Sequence, residues 1–326
     1  MTRHLARAIT LITSTMACAG AFAAHFHVTD LGAISDVGGA VFGINNQNVV
    51  VGQYFGLPAV FDHGTITSLP VAGGTTGSAY AINDLGVVTG YGEAADRSHV
   101  GLTWTAGVAA PLPTGGYSNM DGRSVNTAGH VVGTGWNAEG KQRAFVISGG
   151  SVTEVGAPPQ GRSTFLYAVN EKDVAVGSFY VNGQVHAMRW KAGKSVDLGV
   201  GTTGEFTKSW ANAVNNKGVA AGGAGTIAPE QAVVWDRQGT MKTLGLARAS
   251  ANGINDAGHV CGYALDTSAF YYDGKRSYIV DEHLDAASTG WRVYSAAAIN
   301  KQNAMAATGR FGNDPTLHAV LVTVVD

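Results

Sequence analysis

The sequence predicts an all-β protein: a seven-bladed β-propeller of four-stranded antiparallel blades, with the last blade closed by the N-terminal strand. Three observations lead there. A short phrase, a β-branched apolar residue, an Asn, two variable positions and a turn former, occurs seven times, with its Asn at Asn45, Asn83, Asn126, Asn170, Asn215, Asn255 and Asn300. Intervals of 38 to 45 residues suit one supersecondary unit, which cannot bury its apolar surface alone and must stack on its neighbours. Within each interval short apolar runs alternate with turn residues, and no stretch shows a convincing helical period.

From the N-terminus, residues 1–23 are expected to be a secretory signal peptide. Arg3, His4 and Arg7 form a basic region, residues 8–20 are mildly apolar, and Ala21-Phe22-Ala23 supplies an A-x-A cleavage signal. Residues 24–326 then form a single propeller domain, secreted or periplasmic. The residues before Cys18, Thr15-Met16-Ala17, are a poor match to a lipid-attachment signal. Beyond the signal Cys261 is the sole cysteine, so no intrachain disulfide can form; its neighbours Val260 and Gly262 make it a small buried hydrophobe. Charged residues are 13% of the chain, about half the ~25% usual for soluble domains. No apolar run reaches the ~18 residues of a transmembrane helix, so no membrane span is expected. The formal net charge is −2 without a Lys/Arg cluster, which argues against nucleic acid and anionic membranes as partners.

Residues 78–113 illustrate one unit. A first strand at 79–82 meets a tight turn at Asn83-Asp84-Leu85-Gly86, and a second strand follows at 87–91. A polar loop leads to a third strand at 100–104, and a turn at Ala106-Gly107 to a fourth ending in Pro111-Leu112-Pro113. Three places after the repeating Asn stand Asn48, Gly86, Gly129, Asp173, Gly218, Gly258 and Asn303. All are residue types that tolerate positive φ, as a tight hairpin requires. The Asn side chain is expected to bond its own turn. Seven places after it stands a Gly (52, 90, 133, 177, 222, 262), replaced in the last unit by Ala307 with Gly309 two places on. This Gly predicts close backbone approach, with the neighbouring sheet as the expected intruder. Two places before the Asn the residue is always Gly, Ala or Ser, suiting a crowded axis. Third strands pair a small residue with large apolar ones, as in Ala144-Phe145-Val146-Ile147 and Ala187-Met188-Arg189-Trp190.

The last unit stops after its third strand, whereas Val28-Thr29-Asp30-Leu31-Gly32 reads as a fourth strand lacking the first three. Together they complete a seventh blade, leaving only short, protected edges. These phrases resemble the HAF repeats of bacterial extracellular proteins. Asp30-Leu31-Gly32 followed by Gly38-Gly39 and Ile44-Asn45 looks like that family's opening unit, and His186-Ala187 and His318-Ala319 keep part of the motif for which it is named. The resemblance implies an exported repeat architecture and no particular reaction.

Signs of catalysis are sparse. The ten His residues are scattered, no H-E-x-x-H or G-x-S-x-G occurs, and Asp281-Glu282-His283 is one isolated run on an irregular fourth strand. No metal, cofactor or catalytic residue is expected. Glu93, Glu139, Glu205 and Glu230 leave carboxylate-pair chemistry open. Polar and aromatic residues gather instead in the loops joining second to third strands and blade to blade, which share one rim of a propeller. Candidate ligand-binding residues there are Tyr91, Arg123, Trp136, Arg162, Tyr167, Tyr180, Trp210 and Trp291. Aromatic faces beside hydrogen-bonding groups suit sugars or peptides. Arg123 and Tyr167 stand three places before their Asn, where other units carry Phe42, Asn212 or Ala297. The leading expectation is a monomeric, non-catalytic binding or scaffold propeller with a polysaccharide or protein ligand. The alternative is a carbohydrate-active enzyme, a lyase or glycoside hydrolase, with its site at the channel mouth.

Overall fold

The computed structural model describes residues 24–35, 40–201, 204, 206–227, 230–265 and 267–325. The expected signal peptide with Cys18 lies outside them, as do Gly38, Gly39 and Glu205. The described residues form a seven-bladed β-propeller in which every blade is an antiparallel sheet of four strands, here A to D. Blade 1 runs Val41–Ile44, Val50–Tyr54, Leu57–Asp62 and Thr65–Ser68, and blade 2 runs Gly73–Ile82, Val88–Ala94, His99–Thr105 and Val108–Pro111. The A strands of blades 3 to 6 are Ser118–Val125, Gly161–Val169, Lys208–Val214 and Ser250–Ile254. Blade 7 takes Trp291–Ile299, Met305–Phe311 and Leu317–Val325 from the C-terminal end, and its D strand is the N-terminal His25–Ser35. That strand pairs from His25 against Val325 to Ser35 against Leu317, so the ring closes as the sequence predicts. The run at 281–283 is a 3-10 turn (Val280–His283) rather than a strand, because the chain must leave blade 6 there to begin blade 7.

The core lies between blades, not within them. Seven apolar clusters occur, one at each interface; one joins Val132 and Val155 of blade 3 to Leu166 and Phe179 of blade 4. A single four-stranded sheet has no partner for its faces, so each blade depends on two neighbours for burial. Small residues two places before the Asn serve this contact at the axis. A Cβ added at Gly43 would press on the backbone of Tyr80 and Ala81 in the next blade, and one at Gly253 on Ala298.

The repeating Asn does more than close its turn. The residues three places on all have positive φ, from 56° at Asp173 to 89° at Gly258. In the Asn170 turn, Oδ1 accepts from the backbone N–H of Lys172 and Val174, both at 2.9 Å. The other end of each amide leaves the turn: Nδ2 donates to the backbone carbonyl of the equivalent Asn in the next blade. The chain of bonds passes Asn45, Asn83, Asn126, Asn170, Asn215, Asn255 and Asn300 and returns to Asn45. All seven are 1–6% exposed, so the ring is shielded from water. Asn170→Asp keeps the acceptor for the turn but sets a carboxylate against the Asn215 carbonyl, whereas Asn170→Ala leaves both the buried Val174 N–H and the buried Asn215 carbonyl without their side-chain partner. Both are expected to destabilise, by about 2 kcal/mol or more, and a thermal melt that equals wild type for Asn170→Asp would show that the inter-blade bond carries no weight.

Candidate functional site

The A strands line the axis, and each carries one irregularity at the same level. In all seven blades the A–B register slips by one residue immediately after the fourth position before the Asn. The extra residues are Phe42, Tyr80, Arg123, Tyr167, Asn212, Asn252 and Ala297, three places before each Asn. A bulge bends its strand and re-aims one side chain. Here all seven bulged residues line a single axial cavity of about 260 Å³.

The bulge also explains the Gly seven places after the Asn, and corrects the expectation that a neighbouring sheet crowds it. A Cβ at Gly90, Gly133, Gly177, Gly222 or Gly262 would fall on a carbonyl oxygen of its own blade's A strand, that of Ser78, Asp121, Phe165, Trp210 or Ser250. The slipped register pushes that carbonyl towards strand B. Blade 7 bulges a second time, at Tyr294, and there Gly309 faces the Arg292 carbonyl in the same way. The displaced Gly of the last repeat follows this additional bulge.

The ring is uniform in backbone and uneven in side chains. Blades 1 to 4 contribute three aromatics and one guanidinium, blades 5 to 7 two amides and a methyl. The Arg123 guanidinium lies 4.2 Å from the Tyr80 ring centroid, and Phe42 meets Tyr80 edge-on at 5.2 Å. The Tyr167 hydroxyl is 3.0 Å from Ser178 Oγ. Tyr91 stands 5.9 Å from Tyr80 and stacks on His99 at 3.9 Å; His99 Nδ1 is in turn 2.9 Å from an Asp121 oxygen. Phe165 links Tyr167 to Tyr180, at 6.5 and 6.0 Å. Asn212 and Asn252 donate instead to the next blade, to the carbonyls of Ala251 at 2.9 Å and Ala296 at 3.1 Å.

Four expected site residues, Tyr91, Arg123, Tyr167 and Tyr180, thus fall in one aromatic sector. Trp210 stands half-buried on blade 5, at the level Phe165 occupies on blade 4. Trp136 is 43% exposed at the end of its strand, and Arg162 is exposed at the start of blade 4. Trp291 packs on Phe311 and His318 of its own blade. Tyr80, Phe165 and His99 were missed by sequence reasoning. Tyr80 shares the offset of Arg123 and Tyr167, and comparing that column through all seven units would have found it.

Burial pushes the Tyr80 phenol up to about 12, although Arg123 pulls it down, and burial also raises Tyr167. Because Tyr80 holds its proton longer folded than unfolded, its contribution to stability is complete below the ordinary phenol value near ~10 and is lost as pH rises towards 12. In an ultraviolet absorbance titration Tyr80→Phe is expected to remove a late-ionising phenol; loss of an ordinary one would contradict its burial. The opposite, turn-side mouth is different. Asp84, Glu171, Asp256 and Lys301 surround it with the Asn ring. Their neighbours hold these carboxylates: Asp84 and Asp256 accept from the backbone N–H of Asn46 and Asn216, and Glu171 from that of Thr127. Among the described residues no three His, Cys, Asp or Glu side chains converge as metal ligands, and no helix is long and apolar enough to cross a membrane. Cys261 is buried, with its thiol pushed up by burial.

No protein-family model and no curated protein sequence matches the chain. Solved structures similar to it include the extracellular domain of a hybrid two-component system from B. thetaiotaomicron. Identity is 10%, the TM-score is 0.58, and the match covers 91% of this chain and 40% of that one. A second structure from that bacterium, the extracellular domain of a one-component system, matches at 10% identity and TM-score 0.55 over 92% of this chain and 40% of the other. The chain therefore spans well under half the length of those two domains, and the likeness is one of fold. TolB from Agrobacterium tumefaciens matches at 8% identity and TM-score 0.47, over 93% of this chain and 98% of that one.

Proposed function

We propose that this chain is an exported, non-catalytic binding propeller that holds a glycan or protein ligand at the loop-side mouth of its channel. The observation that carries the reading is the uneven filling of the bulge ring. Seven equivalent backbone positions face one cavity, and aromatic and basic side chains occupy the sector of blades 1 to 4. A purely structural ring would have no reason to break its symmetry there. Aromatic faces beside donors favour ligands with apolar faces and polar edges. The channel phenols argue for binding over proton abstraction: Tyr80 and Tyr167 are both held in the protonated form by burial, and a general base should sit near the working pH. Export rests on the segment 1–23 and on the HAF-like repeat pattern.

The test is a panel of polysaccharides, followed by affinity electrophoresis for retardation and by chromatography for released fragments. Retardation without fragments, weakened in Tyr80→Ala and Tyr167→Ala, is the expected result. Bond cleavage by wild type that disappears in Arg123→Ala or Tyr167→Phe would instead make the protein a carbohydrate-active enzyme.

A further inference from the structure

The bulge-ring cavity has an unbalanced charge. Arg123 is the one charged side chain among the described residues that line it, and no carboxylate joins it there. The nearest acid along its strand, Asp121, is engaged with His99 Nδ1 at 2.9 Å. Arg123 makes no ion pair among the described residues, and its Nε is buried without a hydrogen-bond partner. One face of the guanidinium is covered by Tyr80 at 4.2 Å, which leaves its edge as the donor surface. A guanidinium presents its N–H groups in a planar fork that matches a carboxylate. Leaving such a group without an anion in a narrow cavity is costly unless a ligand supplies one.

We infer that the cavity takes the carboxylate of an acidic sugar, with Arg123 as the carboxylate-binding residue and the Tyr80–Tyr167 sector as the platform for the ring. This rests on the binding reading above and narrows it to uronate-type glycans. Three features favour such a ligand over a neutral glycan or a peptide. The single charge calls for a single anion. The flanking groups are aromatic faces, which suit the C–H face of a pyranose. The volume, about 260 Å³, is just under the ~300–1,000 Å³ of ordinary small-molecule pockets, enough for one sugar ring and its carboxylate. Charge also sets the direction of entry. The turn-side mouth carries three carboxylates against one Lys, so an anion is repelled there and admitted from the loop side.

The test is calorimetric titration of the full mature chain with oligogalacturonate and with the same oligosaccharide fully methyl-esterified, which removes the charge at the cost of one added methyl per carboxyl. Wild type is expected to bind the acid at least ten-fold more tightly than the ester. Arg123→Gln is expected to abolish that difference while the ligand-free variant melts cooperatively at or above the wild-type temperature, since it no longer holds an unpaired charge in the cavity. Equal binding of acid and ester by wild type, or an unchanged preference in Arg123→Gln, overturns the carboxylate assignment and leaves the glycan-binding reading standing. Binding of an aspartate-rich peptide in an Arg123-dependent manner, with neither sugar bound, overturns the sugar assignment; the polysaccharide panel separately decides the broader reading.

Discussion

A chain lacking residues 24–35 is expected to lose its stable closed ring. The N-terminal strand supplies the outer edge of blade 7 and puts Phe26, Val28, Leu31 and Ile34 into the core, each no more than 6% exposed. Phe26 and Val28 join the interface with blade 6, and Leu31 and Ile34 the interface with blade 1. At about 1.5–3 kcal/mol for each buried side chain, these four contribute roughly 6–12 kcal/mol. That is comparable with the whole ~5–15 kcal/mol by which most domains are stable. Among the described residues no disulfide offers a substitute, since Cys261 is free and buried. A fall in melting temperature of more than roughly 15 °C, or recovery only as aggregate, is the expected outcome by circular dichroism and size-exclusion chromatography. Phe26→Ala alone should cost about 3–5 kcal/mol. An unchanged melt of the truncated chain would mean that the other six blades close without it.

Gly222→Ala is expected to be the most damaging single-methyl change in the molecule. The added carbon would lie far closer to the Trp210 carbonyl than the 3.0 Å that real Cβ atoms respect, and the obstacle is backbone of the same sheet. Either the bulge at Asn212 must flatten or strand B must retreat from strand A, at a cost of roughly 3–5 kcal/mol. Gly86→Ala is the informative control. Its φ of 77° disfavours a side chain, but nothing lies within 4 Å of the new carbon, so about 1–2 kcal/mol is expected. Urea unfolding of both variants separates crowding from conformational preference, and equal losses would rule out the crowding account.

The blade count, the turn conformations and the N-to-C closure were legible because they depend on local residue types and on a period. Asn, Asp or Gly at a positive-φ position is a requirement of one residue's own backbone. The fourth-strand phrase at 28–32 pairs only with the missing edge of the last unit. What stayed hidden depends on register in three dimensions. Gly90 announced a close approach, but the intruder, the Ser78 carbonyl, is set by a slip between two strands that composition does not encode. The amide of Asn300 closes its own turn locally, yet its second bond reaches Asn45 across 255 residues. For the site, Arg123 and Tyr167 stood out as departures from the repeat, whereas Tyr80 passed for an ordinary strand aromatic. Trp136 and Arg162 matched the expected composition of a rim, but side-chain direction at the end of a strand is fixed by neighbours that the sequence does not place.

The bulge ring separates the part of the sequence that specifies the frame from the part that can carry information. Turn, hinge glycine and amide relay repeat almost unchanged, while the seven bulged positions hold five different residue types. These positions act as an alphabet read at one height, each letter replaceable without rewriting the sentence around it. A library randomised at those seven codons alone should yield mostly folded propellers with altered selectivity, in the way that antibody loops vary on a constant scaffold.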